Sequence, residues 1–313
     1  MHGARKAVIL LLALAGFGAL RLPVEQRVTR SLTGHGLLPE RLALGTREKL
    51  GQTGAVVALG GLRTLIAALL NLRAYGFFEQ QDWFRLEDTF HTIVTLAPRS
   101  IYYWDTGAWH LAYNAASYYQ SEGAPDTPAL RRRHLWRDAI QRGIALLERG
   151  IRNNPDSWVL PYRLGRLHDD PLKLTNHPEA ARWFEYAIAR GAPPYARRAL
   201  LWSIARIPGR ERETLAYARQ LFADEANRVP TLRCVLFAAE SRADPARPPA
   251  DRIDAVFDNH QQAWNQLRVY YDRSLKALPQ DGVEPALRWL QQRLEVPPGE
   301  RLPDAGSAPA PGR

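Results

Sequence analysis

The stretch GGLRTLIAALLNLRAYGFFEQQDWFRLEDTFHTIVTLAPRSIYYWDTGAWHLAYN, residues Gly60–Asn114, decides the fold. Two amphipathic segments flank a polar turn at Gln80-Gln81-Asp82. Ala97-Pro98-Arg99-Ser100 closes the second, and a third opens with Tyr102, Tyr103 and Trp104. Because proline cannot continue a helix, the stretch predicts one helical hairpin followed by the first helix of the next.

Working outward, the same unit returns. Closing prolines stand at 98, 155, 193 and 230, with separations of 155 − 98 = 57, 193 − 155 = 38 and 230 − 193 = 37. Small and aromatic residues hold matching places before them: Ala74, Phe77 and Phe90; Trp104 and Ala108, with Leu147, Gly150 and Asn154; Leu164 and Gly165, with Ala180, Phe184 and Ala187; and Ala218 and Phe222. Small residues let neighbouring helices approach, and large aromatics fill the gaps that result. The first interval exceeds one helix-pair repeat by about 23 residues. The excess falls between Tyr118 and His134, where YYQSEGAPDTPALRRRH has loop composition and Thr127 is placed to cap an extended second helix.

On these residues, over 60–240, the chain resembles the tetratricopeptide-repeat (TPR) family. Pro161, standing where the third repeat would have tryptophan, is a departure. Leu59-Gly60-Gly61-Leu62-Arg63, Trp104 and Ala112-Tyr113-Asn114 are also similar to a group of bacterial, N-terminally anchored members. The resemblance implies an all-α, right-handed solenoid of helical hairpins over 55–240, with capping helices in 250–295. It also implies a concave groove lined by the first helix of each repeat. Carrying the family's groove places over gives Asn71 and Tyr75; Tyr102, Asp105, Trp109 and Tyr113; and Tyr162, Arg166 and Asp169. Tyrosine, tryptophan and arginine dominate binding hot spots, so the implied partner is a protein, met as an extended peptide or a helix.

The remaining chain frames that unit. Arg5 and Lys6 precede the apolar run Ala7–Leu20, which predicts a single-pass signal anchor over 1–20 in a bacterial inner membrane, with the repeats outside the cytoplasm. A mixed linker occupies 21–54. Ala55–Leu72 is the second most apolar window, but Arg63 at its middle would cost about 2.5–3.5 kcal/mol in a bilayer. It reads as a buried repeat helix rather than a second membrane segment. Further on, Asp251–Ala277 reads as one long amphipathic helix, Glu284–Leu294 as another, and the Pro- and Ala-rich segment 296–313 as disordered.

Composition narrows the function. The 313 residues are 46% hydrophobic, enough for a large core. The net charge is +10, yet 42 − 4 = 38 of the basic residues are arginine. That skew reads as compositional bias more than selection for phosphate, which argues against nucleic acid as the partner. Arg131, Arg132, Arg133, Arg137, Arg142, Arg149 and Arg152 oppose only Asp138 and Glu148, a face that reads as solvated and, failing that, as a contact for anionic lipid or an acidic protein. Cys234 stands alone, excluding an intrachain disulfide. His168, Asp169, Asp170 and His177 come nearest to a ligand set, but they fall before Pro171, where a polar turn is expected, and no metal is assigned. No nucleophile elbow, zinc-protease motif, P-loop or dinucleotide fingerprint is present. The expectation is therefore a non-enzymatic adaptor without cofactor. The competing readings are a helical-repeat enzyme acting on envelope polymer and a cytosolic basic-surface binder of nucleic acid.

Overall fold

Asp82 closes the first hairpin: its side chain accepts the backbone N–H of Arg85 at 3.0 Å, capping a new helix, while Gln81 turns the chain at φ 57°. The computed structural model describes residues 27, 28, 31, 44–121, 127–273 and 278–302, the side chains of 44–60 and 273 excepted. The expected anchor over 1–20 and the segment beyond 302 lie outside the described residues, as does the linker over 32–43. By contacts the chain divides into two units, Met1–Leu62 and Arg63–Arg313, and the second holds the buried clusters of the core.

The described residues are helical, with no strand among them. In order come α1 (Leu44–Glu79), α2 (Trp83–Leu96) and α3 (Ile101–Trp109), which runs through a π-helical segment (His110–Ala115) into α4 (Ala116–Gln120). Next are α5 (Ala129–Asn153), α6 (Val159–Asp169), α7 (His177–Ile188), α8 (Pro194–Ile204), α9 (Glu211–Phe222) and α10 (Pro230–Ala243). The C-terminal part holds α11 (Pro249–Val256), α12 (His260–Arg273) and α13 (Val283–Arg293). Helices pack against their neighbours in the chain, and α3 also meets α6, so first helices of successive pairs lie together.

The loops with the closing prolines tie one pair to the next. At the end of a helix carbonyls lack intrahelical partners, and here side chains supply them. The Pro98 carbonyl accepts both Trp104 Nε1 at 2.9 Å and Asn154 Nδ2 at 3.0 Å, and Arg99 donates to the Asn153 carbonyl at 2.8 Å. Arg190, at the end of the next pair, donates to the Pro155 carbonyl. Between these ties the helices approach closely. A Cβ built on Gly143 of α5 would lie 2.7 Å from Ala112 Cβ and 3.0 Å from the backbone of Ala108 and Ala112, and one on Gly165 of α6 would lie 2.7 Å from the Phe184 ring.

Four features differ from the sequence expectation. Helix α1 begins at Leu44, inside the expected linker, because Gly45, Gly51 and Gly54 are tolerated within it. Its segment from 63 on buries one face only, through Ala67 and Ala74 against Leu86, Phe90 and Ile93; among the described residues no helix is long and apolar enough to cross a membrane. The extended helix α5 does come after the 118–134 insertion, but Pro128 and not Thr127 precedes its first turn, without a side-chain cap. The long helix expected over 251–277 is broken at Phe257-Asp258-Asn259: Phe257 turns into the core, Arg233 pairs with Asp258, and Asn259 Oδ1 accepts Gln262 N–H at 2.8 Å to start α12. Finally, the first residues of the expected disordered tail are ordered, with Val296 and Leu302 buried and Leu302 N–H donating to Gln291.

Gly143→Ala and Gly165→Ala should each destabilise the protein by about 1–3 kcal/mol through overpacking. Gly76→Ala, where a Cβ meets nothing within 4 Å, should be neutral or stabilise by up to about 1 kcal/mol. Urea midpoints of the three variants check this ordering.

Candidate functional site

Where α3 and its π-helical continuation face α6, an open cavity of about 750 Å³ forms. Asp105, Thr106, Ala108 and Trp109 reach it from α3, Tyr113 from the π segment, and Tyr162, Arg163, Arg166 and Leu167 from α6. Leu147 of α5 closes the floor. The spacing explains the convergence: 105, 109 and 113 are four apart, as are 162 and 166, so each set projects from one helical face. Buried Leu111 and Ala112 of the π segment belong to the core, with Ala112 close against Gly143 of α5.

The nine groove residues inferred from the sequence do not all meet. Asp105, Trp109, Tyr113, Tyr162 and Arg166 line this cavity. Neither Trp109, 49% exposed, nor Arg166, also exposed, is buried between helices. Tyr102 is exposed at the start of α3 and packs on Tyr103, with ring centroids 5.4 Å apart, outside the cavity lining. Asn71 and Tyr75 stand on α1, the tyrosine exposed and 6.1 Å from Phe78. Asp169 is spent elsewhere. Its carboxylate accepts Ser203 Oγ at 2.9 Å, both oxygens take the Arg206 guanidinium at 3.1–3.2 Å, and His177 Nδ1 lies 3.1 Å away. That network fastens the end of α6 to α7 and α8; no cluster of three metal-ligating side chains occurs among the described residues.

Three contributors were not identified from the sequence. Arg163 pairs with Asp105 at 3.1 Å across the two helices. Lys173, from the loop after α6, sits 4.9 Å from the Tyr113 ring centre. Tyr195 of α8 packs edge-on to Tyr162 at 5.2 Å and continues the aromatic surface. The only signal for Tyr195 was its distance from Tyr162, 195 − 162 = 33, close to one repeat.

The cavity walls are partly dehydrated. Burial raises the Asp105 carboxyl above its usual range, with Arg163 opposing the rise, and raises the Tyr113 and Tyr162 phenols. Burial lowers the Lys173 ammonium, against Asp170. Arg163 is committed to Asp105, whereas Arg166 makes no hydrogen bond or ion pair among the described residues. The site thus offers flat aromatic faces, the Arg166 guanidinium ready for an incoming acceptor, the Lys173 ammonium against Tyr113, and no nucleophile–base pair.

The other basic surface behaves differently. On α5, Arg142 pairs with Glu87 at 2.8 Å and Arg149 meets His91 at 2.9 Å, both bracing α2, while Arg131, Arg133, Arg137 and Arg152 are exposed.

No known family matches the chain, and no curated protein is significantly similar to it.

Behind the cavity, His110 is wedged between Phe78 at 4.9 Å, Trp109 at 5.1 Å and Phe90 at 5.6 Å, and burial pushes its pKa down from 6.5 to about 4. Between those values the unfolded chain binds a proton that the folded chain does not. Stability from this group is therefore complete above pH 6.5 and declines as pH falls towards 4. Denaturation at pH 7 and pH 4.5 should show a smaller loss for His110→Gln than for the parent.

Proposed function

We propose that the chain is a non-enzymatic adaptor whose hairpins stack as a right-handed TPR-type solenoid, and that it holds an extended peptide segment of a protein partner in the α3–α6 cavity. One observation carries the proposal: Trp109, Tyr113, Tyr162 and Arg166 surround one open cavity, and Trp109 and Arg166 are exposed in it rather than buried between helices. Aromatic residues with polar handles bury much area at little entropic cost, and an arginine without an internal partner can pair with a peptide carbonyl or carboxylate. The chemistry favours this over an enzyme, since the cavity pairs its one carboxylate with arginine and sets no base beside a nucleophile. The apolar run Ala7–Leu20 supports a tether to a bacterial inner membrane, with the cavity on its outer side.

Selecting peptides against the full chain from a displayed random library tests this. Trp109→Ala and Arg166→Ala should each weaken the selected peptide by about 2 kcal/mol or more, roughly thirtyfold, while leaving the thermal melt in place. Calorimetric titration that finds both variants unchanged removes the cavity as the binding site.

A further inference from the structure

The aromatic surface at the groove does not stop at the cavity. Beyond Tyr162 it runs on to Trp158, just before α6, and to Tyr195 of α8. The centroids of these three rings are 5.2–6.2 Å apart, with interplanar angles of 68–69°. Meeting edge to face, the rings form a notch rather than a stack, and Tyr195 is still 40% exposed. On the other side of the cavity α3 presents Trp109, 49% exposed, with Tyr113 one turn further on. Two aromatic subsites therefore flank a polar middle, where Asp105 is taken by Arg163 and Arg166 has no acceptor among the described residues.

We propose that the segment held there is a proline-rich peptide in the polyproline II conformation, with prolines at positions i and i+3 seated one in each aromatic subsite. This rests on the peptide-binding function proposed above and narrows it to one class of peptide. Two common modes of peptide capture do not fit the site. Adding a strand needs a sheet edge, and there is no strand among the described residues. Laying in an amphipathic helix needs a continuous apolar trough, whereas Asp105, Arg163 and Arg166 interrupt this one at its middle. Polyproline II suits both features. Its carbonyls make no internal hydrogen bonds, so those between the two prolines are free to accept from Arg166. Its repeat also fits. Three residues at about 3.1 Å each advance about 9.3 Å, and packed helices such as α3 and α6 run about 8–10 Å apart. A proline that meets Trp109 on α3 thus puts the next, three residues on, against Tyr162 and Tyr195. Because proline has its φ fixed, such a peptide also loses little chain entropy on binding.

Selection of peptides on the full chain from a displayed random library tests the assignment. Recovered peptides should share a Pro-x-x-Pro core. Synthetic copies, titrated by fluorescence anisotropy, should lose about tenfold in affinity when either proline becomes alanine, and as much when the second proline is moved to i+4. Double-mutant cycles read the pairing: Trp109→Ala should abolish the effect of replacing one proline and Tyr195→Ala the effect of replacing the other, with the melts of both variants unchanged. Peptides that bind through Trp109 and Arg166 but carry no proline pair, acidic motifs included, overturn the assignment and leave the peptide-binding function standing. Indifference to the proline spacing, or proline effects that persist undiminished on both variants, overturns it as well. If no selected peptide depends on Trp109 and Arg166, the assignment and the peptide-binding function fall together.

Discussion

The distance between α3, α5 and α6 governs what the rest of the molecule can do. At Gly143 the α5 backbone comes so near α3 that even a methyl group would intrude, and at Gly165 α6 is pressed as tightly on the Phe184 ring of α7. Close-packed interiors of this kind transmit position well, because there is no slack in which a helix can roll. Since α3 and α6 are each clamped on their buried faces, the faces that remain are presented at fixed separation. That separation lets Arg163 reach Asp105 from one helix to the other and leaves an open cavity between them.

The ties at the loops act on the same coordinate. Pro98 and Pro155 have no N–H to give, but their carbonyls collect Trp104, Asn154 and Arg190 from the following pair. Each neutral bond contributes about 1 kcal/mol in net terms, and the charged Arg190 donor about 1.5–3 kcal/mol. Their larger effect is registry: the end of one pair sets the height at which the next begins, and so the level at which Tyr162 and Tyr195 meet.

Much of this was legible in the residues. The hairpin around Asp82 and the closing prolines were readable because turn chemistry and helix termination are local, and because small and aromatic residues at crossings leave a spaced trace. The groove places implied by the family resemblance also included Asp105, Trp109, Tyr113, Tyr162 and Arg166, which do line one cavity. What was not legible depends on tertiary partners. Asp169 looks like one more polar groove residue until Ser203 and Arg206, more than thirty positions away, are brought to it. The π segment at His110–Ala115 has no breaker to announce it; a single extra residue is accommodated so that Leu111, Ala112 and Ala115 stay buried while Tyr113 reaches the cavity. The outward face of α1 misled for the opposite reason. Composition reports how apolar a helix is, but not whether a neighbour exists to cover it.

The arginine excess takes on meaning only when each guanidinium is traced to its partner. Many brace the fold: Arg99 and Arg190 on loop carbonyls, Arg142 on Glu87, Arg206 on Asp169, and Arg233 on both Asp258 and the Val256 carbonyl. Bidentate or multiple contacts of this kind suit arginine better than lysine, since the planar fork satisfies several acceptors at once. A high formal charge is then compatible with a chain that has no evolved affinity for phosphate, because much of that charge is consumed internally. Against such a background an arginine that faces an aromatic cavity without an acceptor carries information. Arg166 occupies that place, between Tyr162 and the Asp105–Arg163 pair. Its neighbours are already neutralised or aromatic, so the local field favours an acceptor arriving from outside the chain.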